Sequence, residues 1–562
     1  MKKVYIDLME KVFDAYTIEH IKAYTESVKK DGIKEHGYPR LAANLGILIA
    51  NGRKTELKDE FLRMMDLCCD EMPNALKKPE KVNIGVGNDF SVKEIVFCIL
   101  EVEKSKIFEK EVTDRWREKF SKIEPLSTYD VIAKIPPEKI GNWAAFGAAS
   151  EQLRKYAGIG DESAFIDNQI ASQLFSFDEN GMYRDPNEPI VYEFVTRLQL
   201  AVAVWFGYKD KNYDELMKYM MKSSDITLKM QSVTGEIPFG GRSNQFLHNE
   251  SFYAALCEFY ASIFKKQGDL KKAGMFKQAA RIAIESIVPW LSEERISHIK
   301  NFYHWEEQYG CEGYAYFDKY MITTASWLYI AYIMADDDIE EVTCPVIGEN
   351  YIIKTSEHFH KVFLKYNDYA VELDTKADYH YDASGIGRIH KKDVPSAICL
   401  SVPFTKTPNY KLDIENSMNL SVCGGIKKDD EFLYAADESF EYKLVEENET
   451  PEYVEVIFEC KSGLGVSFVE RCRVSDDGVE IEVEGDGEVK ILFPVFKFDG
   501  KNSTDVNLSE QALEVIYMGH KCLFETDDKI IDENTELANR NGHYMAYSAY
   551  GKDKVNLKIK LI

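Results

Sequence analysis

Residues 235–251, "GEIPFGGRSNQFLHNES", bring three Gly, a Pro, an Arg, two Asn, a Gln, a His and two Glu into seventeen positions. A plain surface connection needs no such set. His248 and Glu250 can move protons. Arg242 presents a planar fork that matches a carboxylate. Asn244 supplies both a donor and an acceptor. Two more loops repeat the mixture. Residues 177–197, "FDENGMYRDPNEPIVYEFVTR", display Arg184, Asp185, Tyr192, Glu193 and Arg197 behind an Asp-Glu-Asn-Gly turn signal. Residues 301–321, "NFYHWEEQYGCEGYAYFDKYM", carry Trp305, Tyr309, Glu312 and Tyr314. A fourth, "KEHGYPRLAANLG", holds His36, Tyr38 and Arg40, and a fifth, "DTKADYHYDASGIGRIHKKD", holds His380, Tyr381, Asp382, Arg388 and His390. Singly, each His or Glu reads as a solvated loop residue. Together they predict one polar cleft built from loops on a rigid scaffold.

The scaffold is legible in the hydrophobic period. To about residue 345 apolar residues recur at helical spacing, as Leu57, Phe61, Met64, Met65 and Cys68 do in "TELKDEFLRMMDLCCDEM". Roughly a dozen helices come in pairs, several of them apolar on nearly every side, which suits helices buried between neighbours. Paired helices of this number can close into an (α/α) toroid. After "ADDDIEEVTCP" the period shortens to two, in segments such as "YVEVIFECK", "VEIEVEG" and "VNLKIKLI". Those are half-buried strands of an antiparallel β-sandwich. The predicted division is a toroid over residues 1–345 and a sandwich over 346–562.

Composition narrows the partners. The net charge is -26, from 69 basic and 95 acidic side chains. Such a chain repels nucleic acid and anionic membranes at long range, yet a local Arg cluster can still hold a small anion. No apolar run reaches the length of a bilayer span. The first residues, "MKKVYIDLMEKVFDAY", place Asp7, Glu10 and Asp14 where a signal peptide would be apolar, so a cytoplasmic location is expected. The eleven Cys are scattered without a CxxC pair, which fits reduced thiols. No phosphate-binding glycine loop, GxSxG elbow or HExxH occurs, and neither metal nor cofactor is expected.

The phrases "HGYPRLAANLGILIANGR", "NGMYRDPNEPIVYEFVTR", "GGRSNQFLHNE" and "YGCEGYAYFDKYM" resemble the toroid-plus-sandwich, glycan-active proteins called heparinase II/III-like in the broad sense. Within that class the likeness is greatest to a glycoside hydrolase family containing gut bacterial β-glucuronidases. The resemblance implies an oligosaccharide substrate bearing a uronic acid. Arg184, Arg197 and Arg242 then become candidates for the carboxylate clamp. Asn244 would bind hydroxyls, and Trp305, Tyr309 and Tyr314 would stack on sugar rings, with Tyr192 and His380 nearby and Glu193 and Asp185 as reserve carboxyls. Hydrolysis commonly uses two carboxyl groups, and Glu250 with Glu312 form the leading pair. The alternative is β-elimination, in which Asn244 helps neutralise the uronate carboxylate and His248, Tyr309 or Tyr314 removes the proton beside it. A non-catalytic glycan-binding protein is a third reading. The expectation favours the hydrolase.

Overall fold

The computed structural model describes residues 1–77 and 85–562. Six helices make an inner ring: α1 (Gly37–Ala50), α2 (Gly85–Ser105), α3 (Asn142–Tyr156), α4 (Ile190–Trp205), α5 (His248–Gln267) and α6 (Phe317–Met334). Each packs on the next, and α6 packs back on α1, so the ring closes. The inner helices are buried nearly all round. Every residue of α1 except Ala50 is buried, and α5 is buried without a break from His248 to Ser262. Further helices cover the ring from outside. Lys2–Phe13 lies against α6 and α1, Ser163–Ala171 against α3, and Leu270–Ile287 against α5. Local chemistry sets their ends. Gly268, at φ +85°, stops α5 in the left-handed region that suits glycine, and the Asp269 carboxylate then accepts from Lys272 N at 2.9 Å to cap the next helix.

The strands begin soon after α6. A four-stranded antiparallel sheet runs β1 (Tyr351–Lys354), β2 (Lys361–Tyr366), β3 (Tyr369–Asp374) and β4 (Gly385–Lys391), in that order. Both faces of β2 are covered. One side of this sheet meets the large sheet behind it. Toward the helical region, Tyr351 of β1 donates through its hydroxyl to the Lys229 carbonyl at 2.9 Å.

The large sheet is organised by two long partners, β5 (Gly478–Phe498) and β6 (Gly542–Leu561), paired antiparallel along almost their whole length. A register shift between Glu484 and Glu488 marks a bulge that bends both strands. On one side of the bend, β5 pairs with Ser467–Ser475 and β6 with His520–Glu525; on the other, β5 pairs with Cys423–Lys428 and β6 with Lys529–Asn539. The two halves fold over a shared core that includes Val479, Ile481, Phe493, Phe496, Leu557 and Ile559, all buried. The architecture is therefore a helical toroid followed by an antiparallel sandwich, as the change of period predicts. The eleven cysteines are buried free thiols. Among the described residues no helix is long and apolar enough to cross a membrane.

Candidate active site

One end of the toroid opens into a cleft of about 310 Å³. It is assembled from the N-terminal ends of inner helices and the loops leading into them. His36 and Arg40 come from the start of α1, Asn142, Trp143 and Phe146 from α3, Tyr192 and Val195 from α4, and His248 and Phe252 from α5. Tyr314, Lys319, Tyr320, Thr323 and Trp327 come from α6 and its approach, while Arg242 and Ser243 come from the loop 235–251. An inner-ring helix that begins at the cleft presents its first turn there, so residues scattered over three hundred positions converge.

The loop 235–251 owes its path to unusual backbone. Gly240 and Gly241 have φ of +140° and +74°, and Ser243 and Gln245 are also left-handed at +62° and +68°. A Cβ on Gly241 would lie 2.7 Å from Pro189 Cβ, so glycine is needed for both conformation and space. The loop is pinned from the sheet side. Gly241 N donates to Asp382 Oδ2 at 2.6 Å, Phe239 N to Glu372 at 3.2 Å, and Arg388 to the Ile237 carbonyl at 2.6 Å.

Arg242 is the best-defined cation of the cleft. One nitrogen donates to the Pro186 carbonyl at 2.8 Å, another is paired with Asp185, and the guanidinium lies 4.4 Å from the centre of the Tyr192 ring. Burial works against its charge, but Tyr192 and Asp185 outweigh burial and raise its pKa. Asp185 also accepts from Asn142 N at 2.8 Å and Asn142 Nδ2 at 3.0 Å, so one buried carboxylate orients both residues. The Asn142 carbonyl oxygen has no protein partner.

Beside Arg242 runs a chain of three hydroxyls. Tyr192 Oη lies 3.2 Å from Ser243 Oγ, which lies 3.0 Å from Tyr314 Oη. Burial, reinforced by Tyr192 and Glu312, pushes the Tyr314 hydroxyl far above its ordinary range. Across the cleft, His248 sits between Phe246 and Tyr320, with ring centres 5.5 and 4.8 Å away. Burial, helped by Arg40 and His298, holds this imidazole well below its usual pKa, and its Nδ1 is unpartnered. The far end carries Arg40, bound to Glu94 at 3.2 Å, His36 at 2.7 Å and Thr323 at 2.6 Å, and Lys319, whose pKa burial lowers. Among the described residues lining the cleft there are two Arg and one Lys, and no Asp or Glu.

Six of the residues singled out in the sequence line this cleft, His36 and Arg40 among them. Arg242, Tyr192, Tyr314 and His248 are in the lining, and Asp185 stands behind Arg242. The expected pair of carboxyls is elsewhere. Glu250, 1% exposed, receives Lys300 Nζ at 2.7 Å and Ile237 N at 3.3 Å. Glu312, 3% exposed, receives Arg540 and Ser243 N. Each carboxylate is engaged by a buried cation instead of facing a ligand. Glu193 and Arg197 satisfy each other at 2.9 Å inside the ring, with Ser223, Tyr260 and Thr227 taking the remaining guanidinium bonds. Tyr309 is stacked at 3.8 Å on Tyr303, and Trp305 packs at 4.5 Å on Phe317; neither lines the cleft. Asn244 is spent on the Pro238 carbonyl and on Gln245. Arg184 reaches His358 and the Phe175 carbonyl. His380 lies on the sheet-side loop, where its carbonyl accepts from Asn409 N, and it is outside the cleft lining.

The sequence analysis missed Asn142, a polar residue in the first turn of an inner helix, and Trp143, Phe146 and Trp327, because apolar helix residues look like core. Lys319 and Tyr320 stand just inside a quoted segment. Their one available signal was their place in the first turn of a helix that follows a polar loop.

No protein-family model matches the chain, and no curated protein does. Solved structures do. Heparinase III superposes with a TM-score of 0.53 at 8% identity, over 95% of this chain and 78% of that one. The heparan sulfate lyase HepC from Pedobacter heparinus gives a TM-score of 0.47 at 8% identity, over 93% of this chain and 76% of that one. A glycosyl hydrolase of family 88 from Bacteroides vulgatus gives 0.38 at 10% identity, over 58% and 99%. At such identities the likeness to heparinase III is one of fold.

Proposed function

We propose that the chain is a carbohydrate-active enzyme that cleaves a uronate-containing glycan by β-elimination. The observation that carries this reading is the cleft lining: Arg40, Arg242 and Lys319 with Tyr192, Tyr314, Tyr320 and His248, and no carboxylate among them. Hydrolysis through a carboxyl pair has nothing to work with here, which is why the hydrolase expectation gives way to its alternative. The specific likeness to a β-glucuronidase family is set aside with it. The fold shared with heparinase III points the same way, by analogy only.

β-Elimination needs three things from the protein. The uronate carboxylate must be neutralised, so that negative charge developing at C5 is stabilised. Arg242, with its planar fork, is placed for that. A base must take the C5 proton. Tyr192, beside the Arg242 guanidinium, is that base, taking the C5 proton as it passes its own hydroxyl proton to Ser243. An acid must protonate the leaving oxygen at C4 as the C4–C5 double bond forms from the C5 electron pair. Tyr314 is that acid, in the cleft lining at the other end of the hydroxyl chain from Tyr192. Ser243 in turn passes its proton to Tyr314 as Tyr314 gives its own to the leaving oxygen and the C4–O bond breaks, so all three hydroxyls end protonated as they began. Neutral His248 and Tyr320 form the opposite wall, and Trp143 and Phe146 supply apolar surface for sugar rings.

The test is one incubation with a panel of uronate oligosaccharides, read by ultraviolet absorbance and mass. Elimination yields an unsaturated uronate that absorbs, with no mass of water added. Tyr192→Phe and Tyr314→Phe should each lower kcat at least ~100-fold. A saturated product heavier by water would overturn the reading.

A further inference from the structure

The loop 235–251 has a second face. While Arg242, Ser243 and His248 line the cleft described above, Glu236 and Gln245 of the same loop line another cavity, of about 490 Å³, where the toroid meets the sheets. We propose that this second cavity is a binding site for a neutral, hydroxyl-rich sugar ring, distinct from the first cleft in the charge it accepts.

Its floor is polar, buried and incompletely satisfied. Lys300, 3% exposed, gives one proton to Glu250 at 2.7 Å and one to Glu236 at 3.2 Å. An ammonium has three protons, so one donor remains. Glu236 is held ionised: burial opposes its charge, but Lys300, His390 and Arg388 outweigh burial, and the Ser396 hydroxyl donates to it. Asn541, 4% exposed, spends its amide protons on Gln245 Oε1 at 3.2 Å and the Lys300 carbonyl at 3.0 Å. That fixes the amide and leaves Oδ1 an acceptor without a protein partner. A spare donor and a spare acceptor in the lining of one cavity are what the hydroxyls of a sugar satisfy, since each hydroxyl gives one bond and accepts others. Buried groups of this kind are rarely left unmatched without a ligand or water to complete them.

The walls suit a ring. Trp290 and Phe302, both partly exposed, stand with ring centres 5.0 Å apart at the rim, and Tyr517 lines the cavity with them. Aromatic faces of this kind pack on the apolar side of a pyranose while the polar floor takes its hydroxyls.

Charge selects against a uronate. The lining holds four carboxylates, Glu236, Glu285, Glu293 and Asp393, against two ammonium groups, Lys300 and Lys392. The first cleft has cations only. The groups facing the two cavities therefore differ in sign, cations in the first and an excess of carboxylates in the second, which disfavours an acidic sugar in the second. The assignment rests on this cavity's own groups and does not depend on the reaction proposed for the first.

The experiment titrates the full chain with methyl glucoside, N-acetylglucosamine, cellobiose and glucuronate, following ligand saturation-transfer NMR and calorimetry. Wild type should bind at least one neutral probe. Trp290→Ala, at a partly exposed position, and Lys300→Met should weaken that binding at least ten-fold, while Arg242→Ala in the first cleft should leave it unchanged. Lys300→Met sits in a buried cluster, so its melting curve is recorded; Trp290→Ala carries the test if Lys300→Met fails to fold. No binding of any neutral probe, binding unchanged in Trp290→Ala, or glucuronate displacing the neutral sugar with equal affinity would each overturn the proposal. Failure here leaves the product analysis of the first cleft untouched.

Discussion

Arg540, from the turn that leads into β6, grips Glu312 of the helical region through two nitrogens, one 2.6 Å from Oε1 and the other 3.1 Å from Oε2. Both side chains are 2% exposed, and Glu312 also accepts from Ser243 N at 2.6 Å. The pair thus fastens the sandwich to the toroid and holds the loop that carries Arg242. Removing one partner of a buried pair strands the other's charge, at a cost of roughly 3–5 kcal/mol. Glu312→Ala should lose stability on that scale in a denaturant titration. Whatever activity survives should still give unsaturated product. An unchanged midpoint would deny Glu312 this structural part.

Gly241→Ala tests the same loop from its backbone. The new methyl would meet Pro189 Cβ at 2.7 Å and Cα at 2.9 Å, at a φ of +74° that side-chain-bearing residues avoid. The strain is about 1–3 kcal/mol, and the loop can relieve it by shifting, which moves Arg242. Activity should therefore fall much further than the melting temperature. Equal and mild effects on both would mean that Arg242 does not need its present place.

The cleft was partly legible because chemistry-bearing residues cluster in loops before inner helices. Tyr192, Arg242, His248 and Tyr314 all stand within such a cluster. The fold was legible because an apolar period of 3.6 and one of 2 leave different patterns. What spacing does not encode is partnership at a distance. Glu250 and Glu312 look like free acids in their loops, yet their cations are Lys300, fifty positions on, and Arg540, 228 positions on. Tyr309 and Trp305 similarly look like sugar platforms until Tyr303 and Phe317 occupy their faces. Polar loop residues were thus overassigned to the site, and the aromatic lining from helices was underassigned.

Glu470 predicts a pH dependence inside the sandwich. It is fully buried, with the Tyr442 hydroxyl and Gly424 N donating to it, and burial raises its carboxyl to about 7 against those two bonds. A carboxyl raised in the native state holds a proton that the unfolded chain releases. Its contribution to stability is therefore present below the unfolded pKa and is lost as pH rises through the folded value, between about 4.5 and about 7. At about 1.4 kcal/mol per pKa unit the loss is of order 3 kcal/mol. Glu470→Gln keeps the shape without the titration. The variant should gain on the wild type as pH is raised from 5 to about 8 in paired unfolding measurements. A gain independent of pH would show that the native carboxyl does not hold its proton.

The last prediction concerns Asp185, which orients the proposed clamp without touching the ligand. Its carboxylate binds Arg242 on one oxygen and both Asn142 donors on the other. Asp185→Asn removes the charge that fixes Arg242, but it leaves the guanidinium in the cleft and keeps a carbonyl acceptor for Asn142. Arg242→Ala removes the fork itself, which should cost kcat/KM on a uronate substrate about 1.5–3 kcal/mol, the scale of a hydrogen bond to a charged group. Arg242→Lys should restore little, because an ammonium is a point charge and cannot bridge both carboxylate oxygens. Asp185→Asn should fall between wild type and Arg242→Ala, with KM raised by about ten-fold or roughly 1.4 kcal/mol. The double variant Asp185→Asn with Arg242→Ala should then be no worse than Arg242→Ala alone, since Asp185 acts on substrate through Arg242. Steady-state kinetics on one uronate oligosaccharide decide it. Additive losses in the double variant would mean that Asp185 serves the site by another route, through Asn142.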